Sequence, residues 1–184
     1  MNETLCNIAV IRGDGIGVDV TDAALAVIEA ARARSGGFRL ACTDLLAGAG
    51  YFKETGRDMA PGHEDAAAEA DAILLGAIGL PAVRHADGTE ISPHLRLRER
   101  FQLYAGVRPV KAYPNAPRRL ADPRADAIDL IILRESTEGL FYSAAANKRE
   151  TVATDSEVQD ILRITRQTSE KLFDFAFRLA EKRK

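Results

Sequence analysis

Three arginines in the stretch Leu95–Tyr142 suggest the chemistry of this chain. Arg98 and Arg108 lie in LRERFQLYAGVRP (Leu97–Pro109), which reads as a helix running into a strand. Arg134 lies in LIILRESTEGLFYS (Leu130–Ser143), a buried apolar strand that delivers the arginine at its polar end. A guanidinium is planar, permanently charged and able to grip a carboxylate through two parallel hydrogen bonds. Three of them converging would bind a small dicarboxylate or tricarboxylate. Taken singly, each arginine reads more readily as a solvated side chain in an ordinary salt bridge. The spacing of the whole block decides between the two readings.

Two glycine turns follow apolar runs. GDGIG (Gly13–Gly17) sits between a strand and a helix, where a dinucleotide pyrophosphate can meet a helix N-terminus, but the dinucleotide fingerprint G-x-G-x-x-G is not met. Asp44 is the candidate for the acidic ribose ligand that such a fingerprint requires downstream. GAIGLP (Gly76–Pro81) ends a second apolar run, and glycine there lets the backbone approach a ligand closely. For both turns the plain reading is a tight strand-to-helix connection with no ligand.

The elements that must position these residues alternate. NIAVIR (Asn7–Arg12) suits a buried parallel strand, and the following segment an amphipathic helix with Val20, Ala24, Val27, Ile28 and Ala31 on one face, stopped at Gly36–Gly37. Strand Phe38–Asp44, a helix around Gly48–Thr55, a helix from Pro61 to Ala70 and a strand from Asp71 come next. Ala82–Pro93 reads as a loop, Pro93–Gln102 as a helix, Tyr104–Ala112 as a strand, Tyr113–Asp126 as a surface loop and Ala127–Arg134 as a strand. Gly139–Thr154 reads as an irregular hairpin or arm. A helix is expected from Ser156 towards Arg183, with Val158, Ile161, Leu162, Thr165, Leu172, Phe173, Ala176 and Leu179 on its apolar face. Strands alternating with helices predict an α/β fold with a mainly parallel sheet flanked by helices.

The pattern L-R-x-x-x-x-L-Y-x-x-x-R-P, followed by R-E-x-T-E-G, resembles the β-decarboxylating dehydrogenases: the isocitrate, isopropylmalate, homoisocitrate and tartrate/D-malate dehydrogenase family. The similarity runs from Asn7 to the end of the chain. It implies an isopropylmalate-dehydrogenase-like fold, incomplete relative to the family. Residues 1–98 would form the N-terminal part of the large cofactor-side domain. Residues 99–184 would belong to the small dimerisation domain, including the arm 139–154 that pairs with a second subunit in a homodimer. Arg98, Arg108 and Arg134 would hold the malate part of a D-malate-like 2-hydroxy di- or tricarboxylate. Gly76, Ala77, Ile78 and Gly79, with Thr89 and Glu90, would lie at the nicotinamide end of NAD or NADP. The implied activity is a metal- and NAD(P)-dependent oxidation, with decarboxylation, in which Mg²⁺ or Mn²⁺ polarises the hydroxyl.

The resemblance also brings departures. Ser92 and His94 occupy the positions that read the substrate tail, yet Ser92-Pro93-His94 matches neither the isocitrate nor the isopropylmalate subgroup. Ser92 reads equally as a helix N-cap before Pro93 and as a ligand, and His94 as a donor to a polar tail or as a partly exposed histidine. Phe141 stands where the family has the tyrosine that protonates the enol product. Tyr142, next in line, is the remaining candidate acid, and on an extended strand it would face the opposite way. The family's metal aspartates and catalytic lysine correspond to positions beyond Lys184, so no metal ligand is assigned in this chain. The competing expectation is a catalytically incompetent regulatory subunit or truncated remnant that keeps an anion-binding fold.

Composition bounds the rest. With 184 residues and a formal net charge of −2, the chain can bury a sizeable core and carries no polyanion-binding footprint, so no nucleic-acid partner is expected. Cys6 and Cys42 have no metal spacing and read as reduced core thiols. His63 and His85 stand alone in polar loops. The N-terminus lacks signal-peptide character and no apolar run reaches bilayer-spanning length, so a cytoplasmic protein with no membrane partner is expected.

Overall fold

The apolar run at the N-terminus forms the centre of a small parallel sheet. The computed structural model describes residues 3–117, 119–144 and 152–183. The chain divides into two units, Met1–Leu97 and Arg98–Lys184.

In the first unit, β1 (Thr4–Ile11) is flanked by β2 (Phe38–Asp44) and β3 (Ala72–Leu75), both parallel to it, in the order β2-β1-β3. Ile8 lies opposite both Cys42 and Ala72, so the buried half of β1 pairs on both sides. Two parallel strands cannot be joined by a tight turn, and α1 (Ile16–Ser35) supplies the crossover from β1 to β2. Ala9, Val10 and Ile11 are buried and join Leu45, Ala49, Met59, Ala67, Ile91 and Leu97 as core. Each large aliphatic side chain buried in this way contributes about 1.5–3 kcal/mol.

The covered stripe of α1 is not the one expected. Gly17 and Thr21 are buried and Ala24, Leu25 and Ile28 half-buried, whereas Val20 and Val27 are exposed, Val27 by 68%. This helix is apolar on more than one side, and Gly17 decides which side lies inward because only a residue without a side chain fits against the turn at Ala77. Cys42 is likewise exposed rather than in the core, and Cys6 only half-buried. Two short helices, α2 (Ala49–Thr55) and α3 (His63–Glu69), follow β2. Helix α3 begins two residues after Pro61, because Gly62 in a left-handed conformation is its N-cap.

Helix α4 (Pro93–Arg100) contains the boundary between the units. Leu103 N–H closes on Arg98 O at 2.9 Å, and Gln102 takes a positive φ of 51°, which ends the helix before the strand expected to follow.

In the second unit, β4 (Ala105–Lys111) pairs antiparallel with β5 (Asp129–Glu135), so the parallel arrangement expected from alternation belongs to the first unit. A 3₁₀ turn, Pro123–Ala127, is capped by Asp122, whose side chain accepts from Arg124 N–H. After the four-residue helix α5 (Phe141–Ala144), β6 (Val152–Ala153) and β7 (Val158–Gln159) form a small antiparallel hairpin. Part of the expected arm lies outside the described residues. The final helix, α6, covers Arg166–Lys182 and starts about ten residues later than expected. Its half-buried face is Thr168, Ser169, Leu172, Phe175, Ala176 and Leu179, while Phe173 is exposed.

The late start of α6 has a local cause. Thr165 is the N-cap, accepting from Thr168 N–H at 3.3 Å, and the buried Glu138 holds both threonines. Its carboxylate accepts from Thr165 N–H at 2.7 Å, the Thr165 hydroxyl at 2.8 Å and the Thr168 hydroxyl at 3.1 Å. Upstream of the cap, Ile161 N–H donates to Ser143 Oγ and Gly139 N–H to Arg163 O, which keeps residues 161–163 extended.

Burial raises the proton affinity of Glu138, but the hydrogen bonds from Thr165 and Thr168 and the charge of Arg163 outweigh it and hold the carboxyl below its ordinary value. A carboxyl depressed in the folded state contributes stability that is complete above its unfolded value, about 4.3, and is lost as pH falls through the folded value. The stability advantage of the native chain over Glu138→Gln should therefore shrink as pH falls below about 4.3, read by urea denaturation at a series of pH values. A constant difference between the two from neutral pH to acid would rule this out.

Candidate functional site

The second unit places the three arginines together. In the β4–β5 ladder Gly106 faces Arg134 and Arg108 faces Ile132. Directly paired residues share a face and alternate residues return to it, so Arg108 and Arg134 project from the same side of the ribbon. Gly106 has no side chain to stand between them. Arg98 comes from the last turn of α4, and its guanidinium lies 5.8 Å from the centre of the Phe141 ring, with that of Arg134 at 5.4 Å from the same ring.

This cluster is electrostatically unrelieved. Desolvation, then the charge of Arg134, then that of Arg108, lower the proton affinity of the Arg98 guanidinium. Among the described residues no carboxylate pairs with Arg98, Arg108 or Arg134, and Arg134 Nε is buried without a hydrogen-bond partner. The nearby acids are engaged elsewhere. Glu135 accepts from Thr137 N–H at 2.7 Å and Glu138 N–H at 2.6 Å, and Glu138 accepts from Thr165 and Thr168 at the start of α6. Three like charges held together, with the Arg134 Nε donor left over, make an arrangement that an anion would relieve.

Phe141 and Tyr142 begin a helical turn rather than continuing a strand, so their side chains diverge by about 100° instead of facing opposite ways. Phe141 lies against Arg98 and Arg134, and the Tyr142 ring lies 4.0 Å from the guanidinium of Arg163. The ring that meets Arg98 and Arg134 thus carries no hydroxyl.

The first unit holds the glycine loops. GDGIG, GAG at Gly48–Gly50 and GAIG at Gly76–Gly79 are tied together by one side chain that the sequence reading passed over. The carboxylate of Asp14, 7% exposed, accepts from Ala49 N–H at 2.8 Å, Gly50 N–H at 2.7 Å and Gly79 N–H at 2.8 Å. Asp14 N–H in turn donates to Ala77 O at 2.7 Å. The available signal was an acid set between two glycines at a strand-to-helix crossing, where backbone N–H groups converge on an anion. Ile78, Gly79, Leu80, Pro81, Val83, Arg84, Glu90 and Ile91 line a cavity of about 230 Å³ beside the GAIG loop. Thr89 donates to Asp87 through its N–H and hydroxyl, and Glu90 pairs with Arg84 at 3.2 Å, so the segment expected to be a plain loop is internally bonded.

Asp44, considered for a ribose, accepts from Arg12 Nε through Oδ1 at 2.8 Å. Ser92 stands directly before α4 and its carbonyl accepts from Leu95 N–H at 3.0 Å; His94 lies half-buried on the first turn. Arg96, on the same helix, pairs with Asp58 at 2.6 Å and with Glu64, an anchor that sequence spacing did not signal. His63 Nδ1 accepts from Leu46 N–H at 2.8 Å, and His85 packs edge-on against Phe52. Both are structural. Among the described residues no group of three or more His, Cys, Asp or Glu side chains lies together to hold a metal, and no helix is long and apolar enough to cross a membrane. The residues described therefore do not by themselves fit a divalent cation.

The parallel sheet with glycine loops at its strand-to-helix crossings defines an α/β architecture. The family model described as isocitrate/isopropylmalate dehydrogenase matches residues 7–184, and the chain belongs to that family. It is 35% identical over 182 residues to a 3-isopropylmalate dehydrogenase of Heyndrickxia coagulans, covering 96% of this chain and 49% of that enzyme. It is 31% identical over 176 residues to a tartrate dehydrogenase/decarboxylase of Pseudomonas putida, covering 96% of this chain and 48% of that one. Among solved structures, an isocitrate dehydrogenase from Methylococcus capsulatus superposes with a TM-score of 0.73 at 27% identity, over 96% of this chain and 48% of its own. The chain spans about half the length of the curated relatives it matches.

Proposed function

We propose that this chain supplies the carboxylate-binding and nicotinamide-side portions of a metal- and NAD(P)-dependent dehydrogenase acting, with decarboxylation, on a D-malate-like 2-hydroxy di- or tricarboxylate. The observation that carries the reading is the set Arg98, Arg108 and Arg134, close together and without a carboxylate partner among the described residues, which suits an anion with more than one carboxylate. Each guanidinium binds carboxylate oxygens through its N–H groups and orients the carbon skeleton; Ser92 and His94 meet the remaining tail. Gly76, Ala77, Ile78 and Gly79, with Thr89 and Glu90, hold the nicotinamide end of NAD or NADP, where Gly79 at φ 125° leaves open space that a side chain would fill. That cofactor, when bound, accepts the hydride from C2. Mg²⁺ or Mn²⁺ is the expected metal, and no step is assigned to it from the residues described. The arm 139–154 pairs two copies as a homodimer, and the protein works in the cytoplasm without nucleic-acid or membrane partners.

Arg108→Ala removes one charge-assisted bidentate contact and should weaken D-malate binding by about 1.5–3 kcal/mol in the full-length protein. Calorimetry tests it; unchanged affinity would remove the arginine from the site.

Phe141 favours a second reading, a regulatory subunit that binds the anion without turnover, because no hydroxyl meets the bound acid there. The two separate cleanly: binding of D-malate or isocitrate with no nicotinamide reduction, Mg²⁺ and NAD supplied, selects the regulatory protein.

A further inference from the structure

Two guanidiniums of like charge lie against one aromatic ring. Arg98 comes from α4 and Arg134 from β5, and their terminal carbons stand 5.8 and 5.4 Å from the centre of Phe141. A benzene ring carries a negative face, and a cation within about 6 Å of its centre is attracted to it, more strongly where water is thin. Arg98, Arg134 and Phe141 are all half-buried. No carboxylate among the described residues offsets the two charges, so in the absence of an anion the ring is the group that can. Arg98 is disfavoured in its charged form by desolvation and by its two neighbours, which adds to the need for such a group.

We propose that Phe141 is a positioning residue for the anion site: its ring holds both Arg98 and Arg134, ready to take a dicarboxylate. The inference rests on the carboxylate reading given above and extends it to a residue with no polar atom. A residue that only fills space would be replaced at little cost by leucine. A platform needs a ring, whether or not it bears a hydroxyl. Ordering two long side chains before the ligand arrives removes part of the entropy lost on binding.

The test compares Phe141→Leu with Phe141→Tyr in the full-length protein, using D-malate as probe and urea denaturation as the control for folding. Leucine should weaken D-malate binding about fivefold to tenfold with the denaturation midpoint little changed, and tyrosine should stay within about twofold of the native chain. Leucine binding as tightly as the native chain would overturn the proposal. A second readout needs no ligand. The arginine Nε–H resonances of Arg98 and Arg134, followed by nitrogen-15 NMR, should carry a ring-current shift in the native and tyrosine chains and lose it in the leucine chain. Absence of that shift in the native chain also overturns the proposal. If the shift is present but neither D-malate nor isocitrate binds, the ring platform stands and the carboxylate reading fails.

Discussion

Asp14→Ala should lower the unfolding free energy by about 3–5 kcal/mol, measured by urea denaturation of the full-length protein. One buried carboxylate satisfies the N–H groups of Ala49, Gly50 and Gly79, at 2.8, 2.7 and 2.8 Å. Alanine leaves the buried Ala49 N–H and the part-buried Gly50 and Gly79 N–H groups without that acceptor, and an unsatisfied buried donor costs about 1–3 kcal/mol, less where water can reach it. The penalties do not simply add, because relaxation and entering water recover part of them. Asp14→Asn separates charge from shape. Its amide retains one oxygen but turns an N–H₂ group towards the remaining donor or donors, so it should fall between alanine and the native chain. An alanine variant within about 0.5 kcal/mol of native would show that the three loops are held by something else. The consequence for function follows from Gly79: without the tie to Asp14, the backbone proposed to lie beside the nicotinamide loses the bond that fixes it.

Gly76→Ala is expected to be nearly as severe, about 3 kcal/mol, at the upper end for overpacking. A Cβ at this position would meet Arg12 O on one side and Thr21 Oγ1 and Gly17 O on the other, the last two at 2.6 and 2.8 Å. Two of those three atoms are backbone, Arg12 O just after β1 and Gly17 O in the first turn of α1, so a rotamer change alone cannot make room. Relief requires the end of β3 to part from β1, which also strains the Gly76 N–H bond to Ile11 O at 2.7 Å. Denaturation of the variant reads the cost directly. A loss below about 1 kcal/mol would mean that the crossing of the two turns is looser than its distances indicate.

Both predictions concern residues that the sequence pattern treats as punctuation. Gly76 reads as a turn glycine, and its actual constraint is a neighbour sixty-four residues earlier in the chain, at Arg12. Asp14 passes unnoticed between two turn glycines, and its partners lie at Ala49, Gly50 and Gly79. No local spacing encodes such contacts. The candidate arginines were more accessible, because an arginine set against an apolar strand is unusual in itself and the block spacing matches a family pattern. That Arg108 and Arg134 share a face follows from a register that places Gly106, not Arg108, opposite Arg134.

The sequence by itself determined the alternation of strands and helices, the two glycine turns and the family, and it singled out three candidate arginines, because these depend on residue type, short-range spacing and a motif shared with a family. Tertiary structure decided which face of α1 lies inward, since a helix apolar on several sides is oriented by the one place where its backbone must approach another closely, Gly17 against Ala77. It decided that α6 starts at Arg166 rather than near Ser156, because Glu138 binds Thr165 and Thr168 from far upstream and outweighs the apolar periodicity before them. It decided that Phe141 and Tyr142 part on a helical turn, one ring against two arginines and the other against Arg163. Periodicity records what a segment can bury; long-range hydrogen bonds and backbone contacts select which of those options the chain takes.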